Sequence, residues 1–414
     1  MKRGLWIIVL LCALLPVGHL SAVPCRSGDA TADSLEVSLL TCSPGKASYE
    51  LYGHTALRVR NLRDGSDWVF NYGMFDFHAP HFVWRFVLGQ TDYYLGAVPF
   101  KRFVHSYLRQ GRGIEAQVLA LRPDEALRVW TALVRTASLE DWTYRYSFLY
   151  DNCTTRAVDV VERALDGRVE WPAADSTRTF RTIIHEFSAS AAPWNSFGQD
   201  LLLGAEVDAP TGVREQMFSP VYAARFFDGA VVTRTDGSRR LLVARRYVVM
   251  QPASAPASPS GFGPMQAAVL LLVLAAGVAV WEQRWRKACL WFDYPFMLLL
   301  GGAGCIVSLL FFCSEHPAVD SNRLIVLLTP LWLLYIPVKW RRERSGRPDR
   351  LYHAAMAVAL AAYGLLAAVS SQRFPAALNA LALLLLVRTV NVWLLSRRTE
   401  RTYATPAADD EPTE

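Results

Sequence analysis

The sequence has no CxxC pair and no cluster of cysteine and histidine at metal-ligand spacing, which removes the usual grounds for a zinc site. Its soluble part has no compact lysine and arginine face interleaved with aromatics, so the formal net charge of +6 does not point to nucleic acid. Cysteine is scarce, with seven in 414 residues, at positions 12, 25, 42, 153, 289, 305 and 313. Cys12 lies in an apolar leader and the last three lie in apolar segments. If the domain between them is exported, Cys25 and Cys42 can pair, and Cys153 is then the one thiol left there.

Charge is missing from residues 5–15 and from long stretches beyond 264. Met1-Lys2-Arg3 is a basic n-region ahead of the first run, and His19-Leu20-Ser21-Ala22 can end in cleavage. Residues 1–22 therefore read as a signal peptide or an N-terminal anchor. Lipoprotein processing at Cys25 is disfavoured, because Pro24 stands where a small residue is needed. Five apolar segments follow residue 264, at 264–281, 290–312, 323–338, 351–369 and 374–396. Each is long enough to cross a bilayer, the third being short. Arg284, Arg286 and Lys287 follow the first, a run from Lys339 to Arg350 the third, and Arg397, Arg398 and Arg401 the fifth. The loops near His316 and Gln372 carry few positive charges. The positive-inside rule puts the basic loops and the tail 397–414 in the cytoplasm, and residues 23–250 outside. The leader says the same. Asp293 and Arg388 are ionisable residues near cytoplasmic ends and are expected to snorkel. His316 and Asn322 lie on the outer side, facing the soluble domain, as a headgroup contact or as a polar loop.

Residues 23–250 look globular, and the Pro-, Ala- and Ser-rich segment 251–263 is a linker. Strands are expected at 35–40, 56–60, 68–72 and 114–121, with a turn at Asp64-Gly65 between the second and third. Pro123-Asp124-Glu125 opens a helix. A hairpin is expected over 231–250, around Asp236-Gly237. The stretch 75–107 is dense in aromatics, including Trp84, Phe86, Tyr93, Tyr94, Phe100 and Phe103. It is either core packing or a rim that meets lipid.

One stretch carries chemistry: Tyr150-Asp151-Asn152-Cys153-Thr154-Thr155-Arg156. After it, Ala157, Val160, Val161, Ala164 and Leu165 recur at helical spacing. Asp151 or Asn152 is the N-cap, so Cys153 falls in the first turn, where unpaired N–H groups favour a thiolate. The bland reading is a small buried residue. His54 begins a strand and Asn71 lies on the next strand of the same hairpin. Cysteine, histidine and asparagine can serve as nucleophile, base and orienting group. His78, His81, His105 and His185 are other histidines, but His54 alone heads a strand across which a helix can pack.

This order, with a strand histidine before a helix-start cysteine, resembles the circularly permuted NlpC/P60-like thiol enzymes, which include the lecithin:retinol acyltransferases. More closely, the chain resembles the Lnb family of bacterial lipoprotein N-acyltransferases. The matching residues are Leu40-Thr41-Cys42-Ser43-Pro44-Gly45, Tyr52-Gly53-His54-Thr55-Ala56-Leu57-Arg58-Val59, Phe70-Asn71-Tyr72-Gly73-Met74-Phe75-Asp76-Phe77 and Asp151-Asn152-Cys153-Thr154-Thr155-Arg156. Pro193-Trp194, Phe197-Gly198, His316-Pro317, Asn322 and Leu328-Thr329-Pro330-Leu331 also match. The resemblance implies an α+β, permuted papain-like extracytoplasmic domain, followed by an all-α five-helix transmembrane domain in the bacterial inner membrane.

The resemblance further implies that Cys153, His54 and Asn71 are catalytic, with Asp76 or Tyr72 as alternatives for the third place. Tyr52, Asp76, Asn152 and Arg156 would support the site. The reaction implied moves an acyl chain from a membrane phospholipid to Cys153 as a thioester. The chain then passes to the α-amine of a diacylglyceryl-cysteine lipoprotein. Neither metal nor cofactor is needed for it. The rival readings are a cell-wall cysteine peptidase or amidase, a thiol lipid hydrolase, and a membrane-anchored binding protein without activity.

Overall fold

The computed structural model describes residues 34–76, 78–139, 142–253 and 261–404, with side chains as far as residue 397. The leader, Cys25 with its expected pairing to Cys42, and the tail beyond 404 lie outside the described residues.

Runs of valine, leucine and aromatics give three consecutive strands, β1 (Leu35–Cys42), β2 (His54–Asn61) and β3 (Asp67–Met74). Gly65, at a φ of 74°, permits the tight turn between the last two. A short helix α1 (Phe82–Val87) leads to β4 (Asp92–Pro99), α2 (Phe100–Gln110), β5 (Ile114–Leu119), α3 (Pro123–Ala137) and β6 (Tyr144–Arg145). Then come α4 (Cys153–Ala164), β7 (Arg168–Glu170), α5 (Phe180–Ser188), α6 (Pro193–Leu202), α7 (Val213–Gln216) and α8 (Pro220–Gly229). Strands β8 (Val231–Thr233), β9 (Arg239–Leu241) and β10 (Val243–Met250) end the domain.

Seven strands form one antiparallel sheet in the order β10-β5-β1-β2-β3-β4-β6. Period-2 alternation divides its side chains between two apolar cores. Val37, Leu39, Leu57 and Phe70 face α3, α4 and α8, while Leu40, Ala56 and Val69 face α2. The expected hairpin at 231–250 is only half of what forms. β8 and β9 pair around Asp236-Gly237 in a separate three-stranded sheet with β7, whereas β10 pairs with β5 at the edge of the large sheet. Leu242, fully buried between β9 and β10, separates the two uses.

Five stretches are long and apolar enough to span a membrane: Pro264–Trp285, Leu290–Cys313, Arg323–Glu343, Arg350–Val369 and Ala376–Arg397. They contain α9 (Pro264–Trp285), α10 (Tyr294–Cys313), α11 (Leu331–Glu343), α12 (Arg350–Val369) and α13 (Ala376–Ala404). The third span is broken: a 3-10 turn over Arg323–Val326 precedes α11, which itself contains Pro337. The fifth helix runs on past the expected end at 396.

The globular domain sits on the loops at one end of this bundle. Glu315 N–H donates to Leu88 O at 2.9 Å, and Gly204 N–H donates to Ala318 O at 2.7 Å. His316 Nε2 donates to Phe86 O at 2.7 Å, and Asn322 Nδ2 donates to Leu201 O at 2.8 Å. Both residues therefore serve the seat between the domains. The basic loops lie at the opposite end, as the charge pattern requires.

Snorkelling of Asp293 and Arg388 is overturned. Both are 2% exposed and paired inside the bundle, Arg388 Nε to Asp293 Oδ1 at 2.7 Å. Arg388 also pairs with Glu282, and Lys339 Nζ lies 3.2 Å from Asp293. Each charge has a partner on another helix within reach, so mutual neutralisation replaces the route to the headgroups. Arg388→Met leaves Glu282 and Asp293 short of their cation. It is expected to destabilise the bundle by about 3–5 kcal/mol. The check is a lowered midpoint of thermal unfolding in detergent; an unchanged midpoint would deny these pairs a stabilising role.

Candidate active site

His54 is the first residue of β2, and Gly53 turns the chain into it at a φ of 83°. A Cβ at Gly53 would stand 2.6 Å from Cys42 O, so only glycine fits beside the paired strand. Sheet alternation places His54 and Asn71 on the face that looks toward α2. His54 Nε2 lies 3.2 Å from Asn71 Oδ1. A carbonyl oxygen only accepts, so Nε2 carries the proton and Nδ1 is left for another partner.

That partner comes from the other side of the sheet end. Asn152 caps α4 by accepting from Thr154 N–H at 2.8 Å and Thr155 N–H at 3.0 Å. Its amide donates to Phe148 O at 2.8 Å and Phe218 O at 2.9 Å, which fixes the helix start. Cys153 is therefore the first helical residue, half-buried, with its side chain over Gly73. A Cβ at Gly73 would lie 3.5 Å from Cys153 Cβ, and anything longer would fill the gap between strand and thiol. The Cys153 thiol and the His54 ring are near enough for each to act on the other's charge. Thr154 Oγ1, 3.8 Å from Cys153 Sγ, is in turn 3.1 Å from Thr55 Oγ1.

Electrostatics follow from this packing. Burial pushes the Cys153 thiol up. The charge of His54, the hydrogen bond to it, the Thr55 backbone and the Thr154 hydroxyl outweigh burial and bring it down to about 7. Burial likewise opposes the imidazolium, but the Cys153 thiolate and the bonds to Cys153 and Asn71 raise His54 above the ordinary imidazole value, against the Arg112 cation. Each side chain thus favours the charged form of the other. Two first-turn amides are committed to the Asn152 cap, which leaves the N–H of Cys153 itself as the helix-start donor for an oxyanion.

The remaining expected residues fall elsewhere. Asp76 is exposed and pairs with His78 at 3.3 Å, so it does not orient His54. Tyr72 is buried edge-on to Trp142 and Tyr144. Tyr52 donates to Gln199 Oε1 at 2.8 Å and packs on Phe148. Arg156 pairs with Asp151 and lies 4.3 Å over the Tyr144 ring, bracing α4 from behind. Sequence reasoning missed Gly53, Gly73 and Thr55 as parts of the site. It also missed Arg112, although the Gly111-Arg112-Gly113 triplet between a helix and a strand was a signal.

A cavity of about 510 Å³ opens beside His54. His54, Asn71 and Gly73 line it on the strand side, and Phe103, Tyr107 and Arg112 line it from α2 and the turn after it. Phe75 forms another wall. It stacks on Phe82 at 5.5 Å, Phe82 on Phe86 at 6.2 Å, and Phe86 meets His316 at 5.9 Å. Aromatic surface thus runs from the cavity to the outer membrane loop. Val83 and Trp84 beside it are 68% and 55% exposed, so part of the aromatic stretch is core and part is rim.

Alkylation of Cys153 by iodoacetamide, followed on its peptide by mass spectrometry, is expected to rise with pH about a midpoint near 7. Substituting His54→Gln removes the largest opposition to burial and leaves only the Thr55 backbone and the Thr154 hydroxyl against it. The midpoint then rises well above 7, and alkylation at pH 7 falls by about tenfold or more. Cys42, which burial pushes up to about 12, stays unmodified in both proteins. A midpoint that does not move in the variant would detach His54 from the thiol.

Two family models match the sequence: the Lnb N-terminal periplasmic domain over residues 26–186, and the Lnb transmembrane domain over residues 256–400. No curated protein and no solved structure matches. The two matches occur in the order of the two observed domains and between them cover most of the chain. With a mixed α/β domain seated on the outer loops of five membrane-spanning helices, the chain belongs to the Lnb family, as a multi-pass membrane protein whose N-terminal domain is periplasmic.

Proposed function

We propose that the protein is a lipoprotein N-acyltransferase that works through a Cys153 thioester. The observation that carries this reading is the aromatic strip Phe75–Phe82–Phe86, which runs from the cavity lined by His54 to the His316 loop at the end of the membrane spans. A peptidase of the cell wall has no use for an apolar approach from the bilayer.

The Cys153 thiolate attacks the ester carbonyl carbon of a membrane phospholipid, and the oxyanion accepts from the Cys153 N–H. The carbon–oxygen bond to glycerol breaks, and His54 Nδ1 gives its proton to the leaving oxygen. The products are lysophospholipid and acyl-Cys153. The α-amine of a diacylglyceryl-cysteine lipoprotein then attacks the thioester. Its proton passes to His54, the carbon–sulfur bond breaks, and an amide and the thiolate remain. Asn71 holds the ring in the tautomer that presents Nδ1 throughout. The reading extends to an inner-membrane location with the C-terminus in the cytoplasm, supported by the basic loops at the end of the bundle away from the globular domain.

Mass spectrometry of a lipoprotein N-terminus, with and without this protein, tests the reaction. The N-acyl group is expected only where the protein is present, and Cys153→Ala is expected to reduce it by about a thousandfold or more. Equal N-acylation without the protein would remove the function. Release of free fatty acid in place of N-acyl lipoprotein would make the enzyme a lipid hydrolase.

A further inference from the structure

The cavity beside His54 has a second wall that the proposed chemistry does not use. Helix α2 and the turn after it bring three arginines to it: Arg102, Arg109 and Arg112. Arg112 is 6% exposed, yet its guanidinium is incompletely bonded. Nε donates to Ser43 O at 2.9 Å, and Nη1 donates to Glu50 Oε1 and Gln110 Oε1, each at 3.2 Å. Nη2 is buried with no partner. An orphaned buried donor on a cation carries a real desolvation cost, which an anion in the adjoining cavity would offset. The face of Arg112 lies 4.7 Å over Tyr107, which leaves the guanidinium edge to meet a ligand.

The charge around the cavity is mainly positive. Among the described residues Glu50 is the one carboxylate that lines it, and Arg112 pairs with it. Arg102 and Arg109 are exposed at the rim, and among the described residues neither has an ion-pair or hydrogen-bond partner. His105 stands between them, with Ser106 as a neutral donor. A guanidinium fork with rim cations suits a tetrahedral oxyanion. The same cavity holds His54 and Asn71 on its other wall, so the anion would lie a short span from the reacting thiol.

We propose that this wall binds the phosphodiester of the acyl donor, with Arg112 Nη2 at the base and Arg102 and Arg109 at the rim. This rests on the acyltransferase reading above and names its donor as a glycerophospholipid held by its phosphate. The acyl chain lies toward the aromatic strip, the phosphate against α2, and the ester between them at Cys153. Arg102 and Arg109 are residues of donor binding and specificity; Arg112 both binds the phosphate and supports the fold through Glu50 and Ser43.

The test uses the full-length protein in vesicles, with phosphatidylglycerol or diacylglycerol of the same chains as donor. The readout is the rate of acyl-adduct formation on Cys153 by intact-mass spectrometry. The wild type is expected to prefer phosphatidylglycerol by about tenfold or more, the worth of one charge-assisted contact. In Arg102→Gln/Arg109→Gln that preference is expected to fall toward one, with Cys153 alkylation at pH 7 reporting an intact site. A wild type without preference, or a double variant that keeps it, would overturn the phosphate site. Added inorganic phosphate is expected to leave the preference in place. If it speeds the diacylglycerol reaction to the phospholipid rate, the wall takes a free anion and the lipid assignment is overturned. No adduct from either donor would overturn the acyltransferase reading itself.

Discussion

Arg181 is a cation with almost no access to water, and the seating of the globular domain on the helical bundle depends on how its charge is met. Asp208 accepts from it at 2.9 and 3.1 Å, Asp200 at 2.7 Å, and the carbonyls of Leu203 and Gly204 at 3.0 and 3.2 Å. A buried guanidinium left unpaired would cost several kcal/mol, so segment 200–208 is drawn into one shape. That segment is the seat. Asp208 also accepts from Arg373 N–H at 3.0 Å, and Gln372 donates to Leu203 O at 3.3 Å. Gly204 and Leu201 bond to the loop 318–322. One buried charge thus shapes α6 and the residues after it, and these fix the globular domain on the outer ends of the spans. With the domain fixed there, α1 lies against Ser314 and His316, at the loop end of the spans.

The thiol and imidazole are a second case of one burial offset by another. Each side chain alone would be neutral in so apolar a setting. Brought together, each stabilises the charged form of the other, against the burial that each suffers. The approach needs two strand ends without bulk. Gly53 lets β2 begin against Cys42 O, and Gly73 lets α4 close over β3. The site is therefore an effect of backbone shape as much as of three side chains.

Much of this was legible in the sequence, because it depends on local patterns. Alternation marked β1, β2 and β3, Asn152 followed by a helical period marked the start of α4, and the basic loops fixed the direction of the spans. His54 and Asn71 came together because a two-strand hairpin is short-range. Relations made by distant chain segments were not legible. Nothing near Asp293 or Arg388 shows that helices more than 90 residues apart bring them within 2.7 Å, and charge at a span end suggests snorkelling when partners are unseen. Asp76 shares its local motif with Asn71, yet a register shift between Asn71 and Met74 turns the chain outward before Asp76. Arg181, Asp200 and Asp208 belong to no local motif. Their joint role depends on packing that no period encodes.

The use of one thiol for both half-reactions imposes an order of events on the proposed reaction. The donor must bring its ester to Cys153 from the outer membrane loop along the Phe75–Phe82–Phe86 face. The lipoprotein amine must reach the same carbon after the acyl group is on sulfur. Both substrates are tethered in the same leaflet, and Gly73 leaves the thiol little more than its own contact distance. They therefore take turns, lysophospholipid leaving before the acceptor enters, and the thioester holds the acyl group meanwhile. Water is the competitor in that interval. The half-buried position of Cys153, under α4 and behind the strand end, limits its access, while an amine delivered at high local concentration by its membrane anchor has the kinetic advantage. On this reading the choice between transfer and hydrolysis is made by geometry at the membrane surface, since Cys153, His54 and Asn71 could perform either.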